Sequence, residues 1–141
     1  MIYLQRITIG RTPLFYSLFL EKNDLLYKLI LAGANINQQD KIGWTTLHHA
    51  VQRYNLPATH LLLKSGVDLE MKDDYGNTPL LRAVFESNGK GEIIKLLLNS
   101  GADIYNKNDL GINFTTRQQE TTTAINAPRL SQPIESKSQY F

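Results

Sequence analysis

The sequence predicts an all-α solenoid of about three helix-turn-helix repeats joined by β-hairpin-like loops. The first observation behind this prediction is a motif, Gly-x-Thr-x-Leu, that begins at Gly10, Gly43 and Gly76 and so recurs every 33 residues. The second is a motif in which glycine is followed two residues later by Asn or Asp and then by Ile or Leu, at positions 33, 66 and 101. A fixed period of 20 to 50 residues is typical of repeat proteins whose units stack side by side.

The third observation is that the spacing of both motif series changes at the same place in the chain. Each gains two residues between its later copies, and a turn-rich stretch, Ser-Asn-Gly-Lys-Gly at 87–91, lies in that interval. Gly111 closes the first series with the same added length. A loop insertion within the third unit explains both shifts.

Each unit contains an apolar pattern that predicts a short first helix, over 13–20, 46–53 and 79–86. Thr12, Thr45 and Thr78 precede these helices and are expected to cap their first backbone N–H groups. Pro13 and Pro79 follow two of the threonines, at the helical position where a missing N–H costs nothing.

A second helix is predicted after a turn in each unit, over 24–32, 57–65 and 92–100. Asp24 and Glu92 would lie in the first turn, where negative charge favours the helix dipole. The glycines at 33, 66 and 101 would end these helices, because glycine adopts the left-handed conformation cheaply.

Composition restricts the functions that this chain could have. It has 141 residues, enough for one domain, and its net charge of +2 is too small to indicate nucleic-acid binding. It has no cysteine, which excludes disulfide scaffolds, thiol catalysis and cysteine-ligated zinc. No apolar run is long enough for a membrane span and no secretory signal is visible, so we expect a soluble, cytoplasmic protein without a membrane partner.

The motifs Gly-x-Thr-Pro-Leu, Leu-Leu-Leu and Gly-Ala-Asp-Ile resemble those of the ankyrin repeat family. The resemblance covers 10–112 and divides that domain into repeats at about 10–42, 43–75 and 76–110. Three positions depart from the family pattern: Thr46 replaces the proline, and Phe15 and Leu81 replace the histidine. These departures do not alter the predicted fold.

The two ends of the chain differ from the repeats. Residues 1–9 are apolar and β-branched, which predicts an extended segment against the first repeat. Residues 113–141 are polar and contain two prolines, which predicts a disordered tail that cannot offset its ordering entropy. The third repeat would then lack a capping repeat, and three outcomes are open: the tail folds over it, the end self-associates with another chain, or the protein is marginally stable.

No group of residues indicates catalysis, a metal or another cofactor. The family resemblance implies a structural hydrogen bond for His48 near Thr45, His49 faces the core or a neighbouring repeat, and His60 lies on the outer face of a second helix. The acidic residues between 68 and 74 lack the spacing of a calcium loop, and Asp73 is interpreted as a structural hairpin carboxylate. A hidden enzymatic site in this acidic region or in the tail is the less favoured alternative.

The resemblance implies partner binding through the concave face and the hairpin tips. The corresponding positions in the second and third repeats are Lys41, Ile42, Trp44, Gln52, Arg53, Asp74, Tyr75, Asn77, Phe85 and Glu86. The first repeat contributes Arg11, Phe19 and Leu20, and Leu110 and Ile112 extend the row. Tryptophan, tyrosine and arginine are enriched at binding hot spots, although Trp44 could instead cover neighbouring hairpin backbone.

The predicted function is therefore that of a non-enzymatic protein–protein interaction module with an unidentified protein partner. An immunity or inhibitor protein and a bacterial effector would use the same face. A self-assembling scaffold fragment is a further alternative, since the last repeat lacks a cap.

Overall fold

The computed structural model describes residues 10–88 and 90–118 of the chain. Six helices of these residues form three pairs, one pair to each repeat, as the sequence predicts. They are α1 (Pro13–Phe19), α2 (Asn23–Leu31), α3 (Thr46–Gln52), α4 (Leu56–Lys64), α5 (Pro79–Phe85) and α6 (Glu92–Asn99). Every boundary lies within one residue of its predicted position, so the predicted solenoid of helix pairs is confirmed.

Two of the three predicted threonine caps are present. Thr45 accepts a hydrogen bond from the N–H of His48, and Thr78 accepts one from the N–H of Leu81. Thr12 makes no such bond, and its buried hydroxyl has no partner among the described residues. The extended backbone before α1 is therefore present without the side-chain hydrogen bond that the sequence predicts.

The helices form two layers that run through all three repeats. In the inner layer α3 contacts both α1 and α5, and in the outer layer α4 contacts both α2 and α6. The core between the layers consists mainly of leucines that recur at the same repeat positions. Leu14, Leu47 and Leu80 form one such series, and Leu62 and Leu97 belong to another. Burial of these side chains between successive units supplies the stability that a single pair of short helices would lack.

Hairpin-like loops connect one repeat to the next. In the loop before α3, the N–H of Asp40 donates to the carbonyl of Trp44 at 2.9 Å, and the N–H of Gly43 donates back to the carbonyl of Asp40 at 2.9 Å. Neighbouring loops are also joined, because the N–H of Asp74 donates to the carbonyl of Ile42 at 3.1 Å. Within residues 10–88 and 90–118 these loops contain no regular β-strand.

The start of the predicted disordered tail is ordered in this structure. Residues 114–118 are helical, and the side chain of Asn113 accepts a hydrogen bond from the N–H of Thr116 at 2.8 Å. Phe114 packs against the core cluster, and Arg117 is buried. The expectation of disorder is therefore wrong for these first residues, because the cap and the apolar contact of Phe114 offset their ordering entropy. Residues 1–9 and 119–141 lie outside the described residues, and the predictions for them stay predictions.

None of the helices in the part of the chain that the structure describes is both long and apolar enough to cross a bilayer.

Candidate functional site

The candidate surface comprises the inner helices and the hairpin tips, where the ten predicted residues lie. Seven of them are exposed: Lys41, Ile42, Gln52, Arg53, Asp74, Tyr75 and Glu86. Trp44 and Phe85 are half-buried, whereas Asn77 is buried, with 6% of its surface exposed. The structure therefore leaves nine of the ten with surface that a partner could reach.

Asn77 connects repeats instead of facing solvent. Its carbonyl accepts a hydrogen bond from Nε2 of His48 at 2.9 Å, and its side-chain oxygen accepts one from Asn108 Nδ2 at 2.8 Å. Its burial and these two hydrogen bonds favour a structural role for Asn77 over contact with a partner. Its backbone carbonyl and its side-chain oxygen both accept hydrogen bonds from residues about one repeat away.

Asp73 organises the loop between the second and third repeats. Its Oδ1 accepts hydrogen bonds from the N–H groups of Tyr75 and Asn77, both at 2.9 Å, and so closes the hairpin. Its Oδ2 accepts from Nε1 of Trp44 at 3.2 Å and pairs with the Arg82 guanidinium at 3.6 Å. The interpretation of Asp73 as a structural hairpin carboxylate is confirmed. Asp40 and Asn108 bond the backbone of their own loops in the same way.

Trp44 is held between repeats rather than standing free at a hairpin tip. Its indole donates to Asp73, the guanidinium of Arg82 lies 5.0 Å from its ring, and the His49 ring lies 4.8 Å away on the same repeat. These contacts favour the alternative in which Trp44 covers the neighbouring hairpin. The exposed part of its ring still contributes to the candidate surface.

His48 stabilises the start of α3 and joins it to the next repeat. Its Nδ1 accepts from the N–H of Thr45 at 3.1 Å, so the neutral ring carries its proton on Nε2 and donates it to the carbonyl of Asn77. Burial is the main cause of a lowered pKa for His48. The predicted structural hydrogen bond of His48 near Thr45 is confirmed.

His49 forms a buried contact with the hairpin of its own repeat. Its Nε2 lies 2.9 Å from Oδ2 of Asp40, and Arg11 lies 3.4 Å from the same oxygen. Burial lowers the pKa of His49 to about 4, and the nearby guanidinium groups of Arg11 and Arg53 contribute to this shift. The ring is therefore neutral at pH 7 and donates Nε2–H to the carboxylate.

We expect the free energy of unfolding to fall by about 2 kcal/mol between pH 7 and pH 5 on account of His49. Its pKa in the folded protein, about 4, is below the value of 6.5 for an unperturbed ring, so the unfolded chain binds protons first as the pH falls. The stability is complete above pH 6.5 and is lost as the pH falls towards 4. Urea unfolding at both pH values should show a smaller decrease for His49→Gln, while exposed His60→Gln should keep the full decrease. Equal pH dependence in wild type and His49→Gln would contradict the assignment.

An aromatic ring and two guanidinium groups come together at the end of α1. The guanidinium carbons of Arg11 and Arg53 lie 5.1 and 4.5 Å from the centre of the Phe19 ring. We call this group the Arg11–Phe19–Arg53 cluster. The repeat alignment identified each position singly, but no local pattern indicated that the two arginines share one ring.

Arg82 is a residue of this face that the sequence analysis missed. It ion-pairs with Asp73 and, at 3.4 Å, with Glu86, and it lies over Trp44. Its position, one repeat after His49, was the signal that could have placed it on the inner face.

The hairpin tips carry a row of exposed apolar side chains at one repeat position. Ile42, Tyr75 and Leu110 expose 47%, 70% and 82% of their surfaces. The backbone bonds from Asp74 to Ile42 and from Asp109 to Tyr75 join these tips. We call these three residues the tip row. A row of exposed apolar groups on neighbouring hairpins is more typical of a contact surface than isolated exposed residues are.

The acidic stretch before Asp73 also has structural partners. Glu70 accepts from the N–H of Asp103 at 2.9 Å and from Asn106 at 3.0 Å, one repeat away. Among residues 10–88 and 90–118, no three histidine or carboxylate side chains are grouped to hold a metal ion.

Comparison with known proteins agrees with the repeat architecture. A family model described as ankyrin repeats in three copies matches residues 14–108. A putative ankyrin repeat protein of Rickettsia bellii is 36% identical over 100 residues, covering 69% of this chain and 54% of that protein. The mouse B-cell lymphoma 3 protein homolog is 36% identical over 77 residues, covering 55% of this chain and 17% of that protein.

The human 2-5A-dependent ribonuclease is 39% identical over 71 residues, which are 50% of this chain and 10% of that protein. The chain thus spans only a small part of the mouse and human relatives and about half of the rickettsial one. Ankyrin repeats are generally non-enzymatic modules that bind other proteins. With three stacked helix pairs, three hairpin loops and a family match over most of its length, this chain belongs to the ankyrin repeat family.

Proposed function

We propose that this chain binds a partner protein through the tip row and the adjoining inner-helix face. The observation that carries the proposal is the tip row itself. Three large apolar side chains at one repeat position face solvent, although folding does not require them to be apolar. Burial of such groups against a partner would supply much of the binding free energy.

The inner-helix face adds polar and aromatic groups to the tip row. Arg53 and Gln52 are exposed at the end of α3, and Phe85 is half-buried at the end of α5, with the guanidinium of Arg117 5.4 Å from its ring. Arginines on aromatic rings lose little conformational freedom on binding, which suits them to recognition. An interface over these three repeats would have at most the standard size of about 800 Å² on each partner.

We expect the combined replacement of Ile42, Tyr75 and Leu110 by serine to weaken partner binding by at least tenfold, because each removed apolar contact costs about 1 kcal/mol. Panning a random peptide library on phage against the immobilised full chain supplies ligands, and their dissociation constants are then measured for wild type and variant. The tip row contacts solvent, so the helical circular dichroism and melting temperature should stay unchanged.

The matched control replaces Tyr27 and Leu31, exposed apolar residues of the outer helix α2, with serine. This variant should keep wild-type affinity. Ligands that bind the tip variant as tightly as wild type, or a wild-type chain that selects no ligand, would refute the proposed surface.

The other functions that the sequence left open would use different parts of the protein. An inhibitor or an effector would use the tip row as proposed, and its partner would be an enzyme, a toxin or a protein of another organism. A self-assembling fragment would instead use the C-terminal end, where Phe114 already packs against the core cluster. This contact makes the proposed surface the better supported of the two.

A further inference from the structure

We infer that the partner places the carboxylate of an aspartate or glutamate, next to an apolar residue, on the Arg11–Phe19–Arg53 cluster. This inference rests on the proposed function and specifies the chemistry of the partner at one end of the inner face. It is carried by the arrangement of the cluster, by the charge around it and by the exposed apolar residue beside it.

The cluster is packed against other rings on its apolar side. The Phe19 ring is half-buried and makes edge contacts with the rings of His49, at 4.9 Å, and Tyr16, at 5.8 Å. Both guanidinium groups rest on this ring, which holds them in place before a partner arrives. Preorganised groups lose less entropy on binding, and so more of their interaction energy appears as affinity.

The two arginines differ in how their charge is compensated. Arg11 lies 3.4 Å from Asp40, which also accepts a hydrogen bond from His49. Arg53 is exposed, and no carboxylate in the described part of the chain pairs with it. The cluster therefore has one cation in excess.

The next repeat has the opposite charge at the equivalent position. Glu86 follows Arg53 by 33 residues. Its carboxylate forms an ion pair with the guanidinium of Arg82, at an N–O distance of 3.4 Å. Arg82 is in turn shared with Asp73. Arg82 of the third repeat is thus paired with two carboxylates, whereas the Arg53 guanidinium keeps its charge uncompensated. An acidic group of the partner would therefore be attracted to the cluster rather than to Arg82.

A carboxylate matches the chemistry of the cluster. A guanidinium donates two parallel N–H bonds to the two oxygens of a carboxylate, and one that stacks on an aromatic ring is already partly desolvated. The single excess cation suits one negative charge, since Asp40 nearby would repel a more highly charged group.

An apolar contact lies next to the charged one. Leu20 precedes Arg53 by 33 residues, at the same repeat position, and exposes 62% of its surface. Side chains at the same position of adjacent repeats are neighbours in a solenoid. A partner residue adjacent to the acidic one would cover Leu20, which explains the preference for an acidic group beside an apolar group.

The experiment compares the peptides that the full wild-type chain and two variants select from the same random phage library. Wild type should enrich sequences with aspartate or glutamate next to an apolar residue. Arg53→Gln should bind a synthetic copy of the selected peptide about tenfold more weakly. Arg53→Glu should reverse the preference and select lysine or arginine instead. A higher salt concentration should weaken the binding of the peptide to wild type more than its binding to Arg53→Gln.

The control is Lys95→Gln, which removes an exposed cation from the outer helix α6 and should leave peptide choice and affinity unchanged. Melting temperatures verify that each variant is folded. Selected peptides without acidic enrichment, or with the same enrichment in Arg53→Glu, would overturn this inference while the proposed function stands. Failure of wild type to select any peptide would overturn both.

Discussion

Replacing Asp73 with alanine is expected to lower the free energy of unfolding by about 3–5 kcal/mol, the usual cost of removing one partner from a buried charge pair. The carboxylate accepts two N–H bonds within its hairpin, from Tyr75 and Asn77, and the change would leave these N–H groups without that acceptor. It would also leave the Arg82 guanidinium, whose side chain is only 18% exposed, with Glu86 as its remaining acidic partner. Urea unfolding followed by circular dichroism measures the loss.

The matched control for this prediction is the neighbouring Asp74→Ala. Asp74 is exposed and its side chain makes no ion pair in the described residues, so the expected change is below about 0.5 kcal/mol. Equal losses for the two variants would show that the Asp73 contacts between the repeats contribute little. Loss of cooperativity in Asp73→Ala alone would be consistent with its role in joining the second repeat to the third.

Replacing Gly43 with alanine is expected to destabilise the protein by about 3 kcal/mol, through two causes that add together. The φ of Gly43 is 82°, a left-handed conformation that costs alanine about 1–2 kcal/mol. In addition, the new Cβ would lie 2.8 Å from Cα of Asp73 and 2.9 Å from the backbone N of Asp74. The adjacent hairpin would have to move, and the backbone bond from Asp74 to Ile42 would be strained.

Gly66→Ala isolates the first cause from the second. Gly66 has a φ of 80°, and a Cβ there would meet nothing within 4 Å. Its expected loss is therefore the conformational cost alone, about 1–2 kcal/mol. Chemical denaturation of both variants under the same conditions gives the difference. Equal losses would mean that the hairpins tolerate a wider separation than the structure shows.

The helices were predictable because local signals repeat at a constant period. Threonine before a helix, proline at its start and a glycine after its end act within a few residues of chain. The tail was less predictable. Asn113 caps the helical residues 114–118 in the same way as the threonines, but the polar residues after it obscured that signal.

The positions of the candidate site residues could be predicted, but the exposure and the hydrogen-bond partners of each side chain could not. Exposed residues such as Ile42 and Tyr75 lie where the repeat alignment placed them. Trp44 and Asn77 occupy the same row, yet the first is bonded to Asp73 and the second is buried against His48 and Asn108. Repeat position alone does not distinguish a residue that faces solvent from one that connects two units.

The amino-acid sequence by itself determined the period, the helix pairs and the hairpin positions, because short-range capping, turn and apolar patterns specify them. The tertiary structure alone decided which polar groups pair across repeats and which guanidinium keeps an uncompensated charge. Those contacts join side chains that are about one repeat apart in the chain, such as Trp44 with Asp73 and Arg53 with Phe19. Their distances depend on how closely the repeats stack, and no local pattern encodes that spacing.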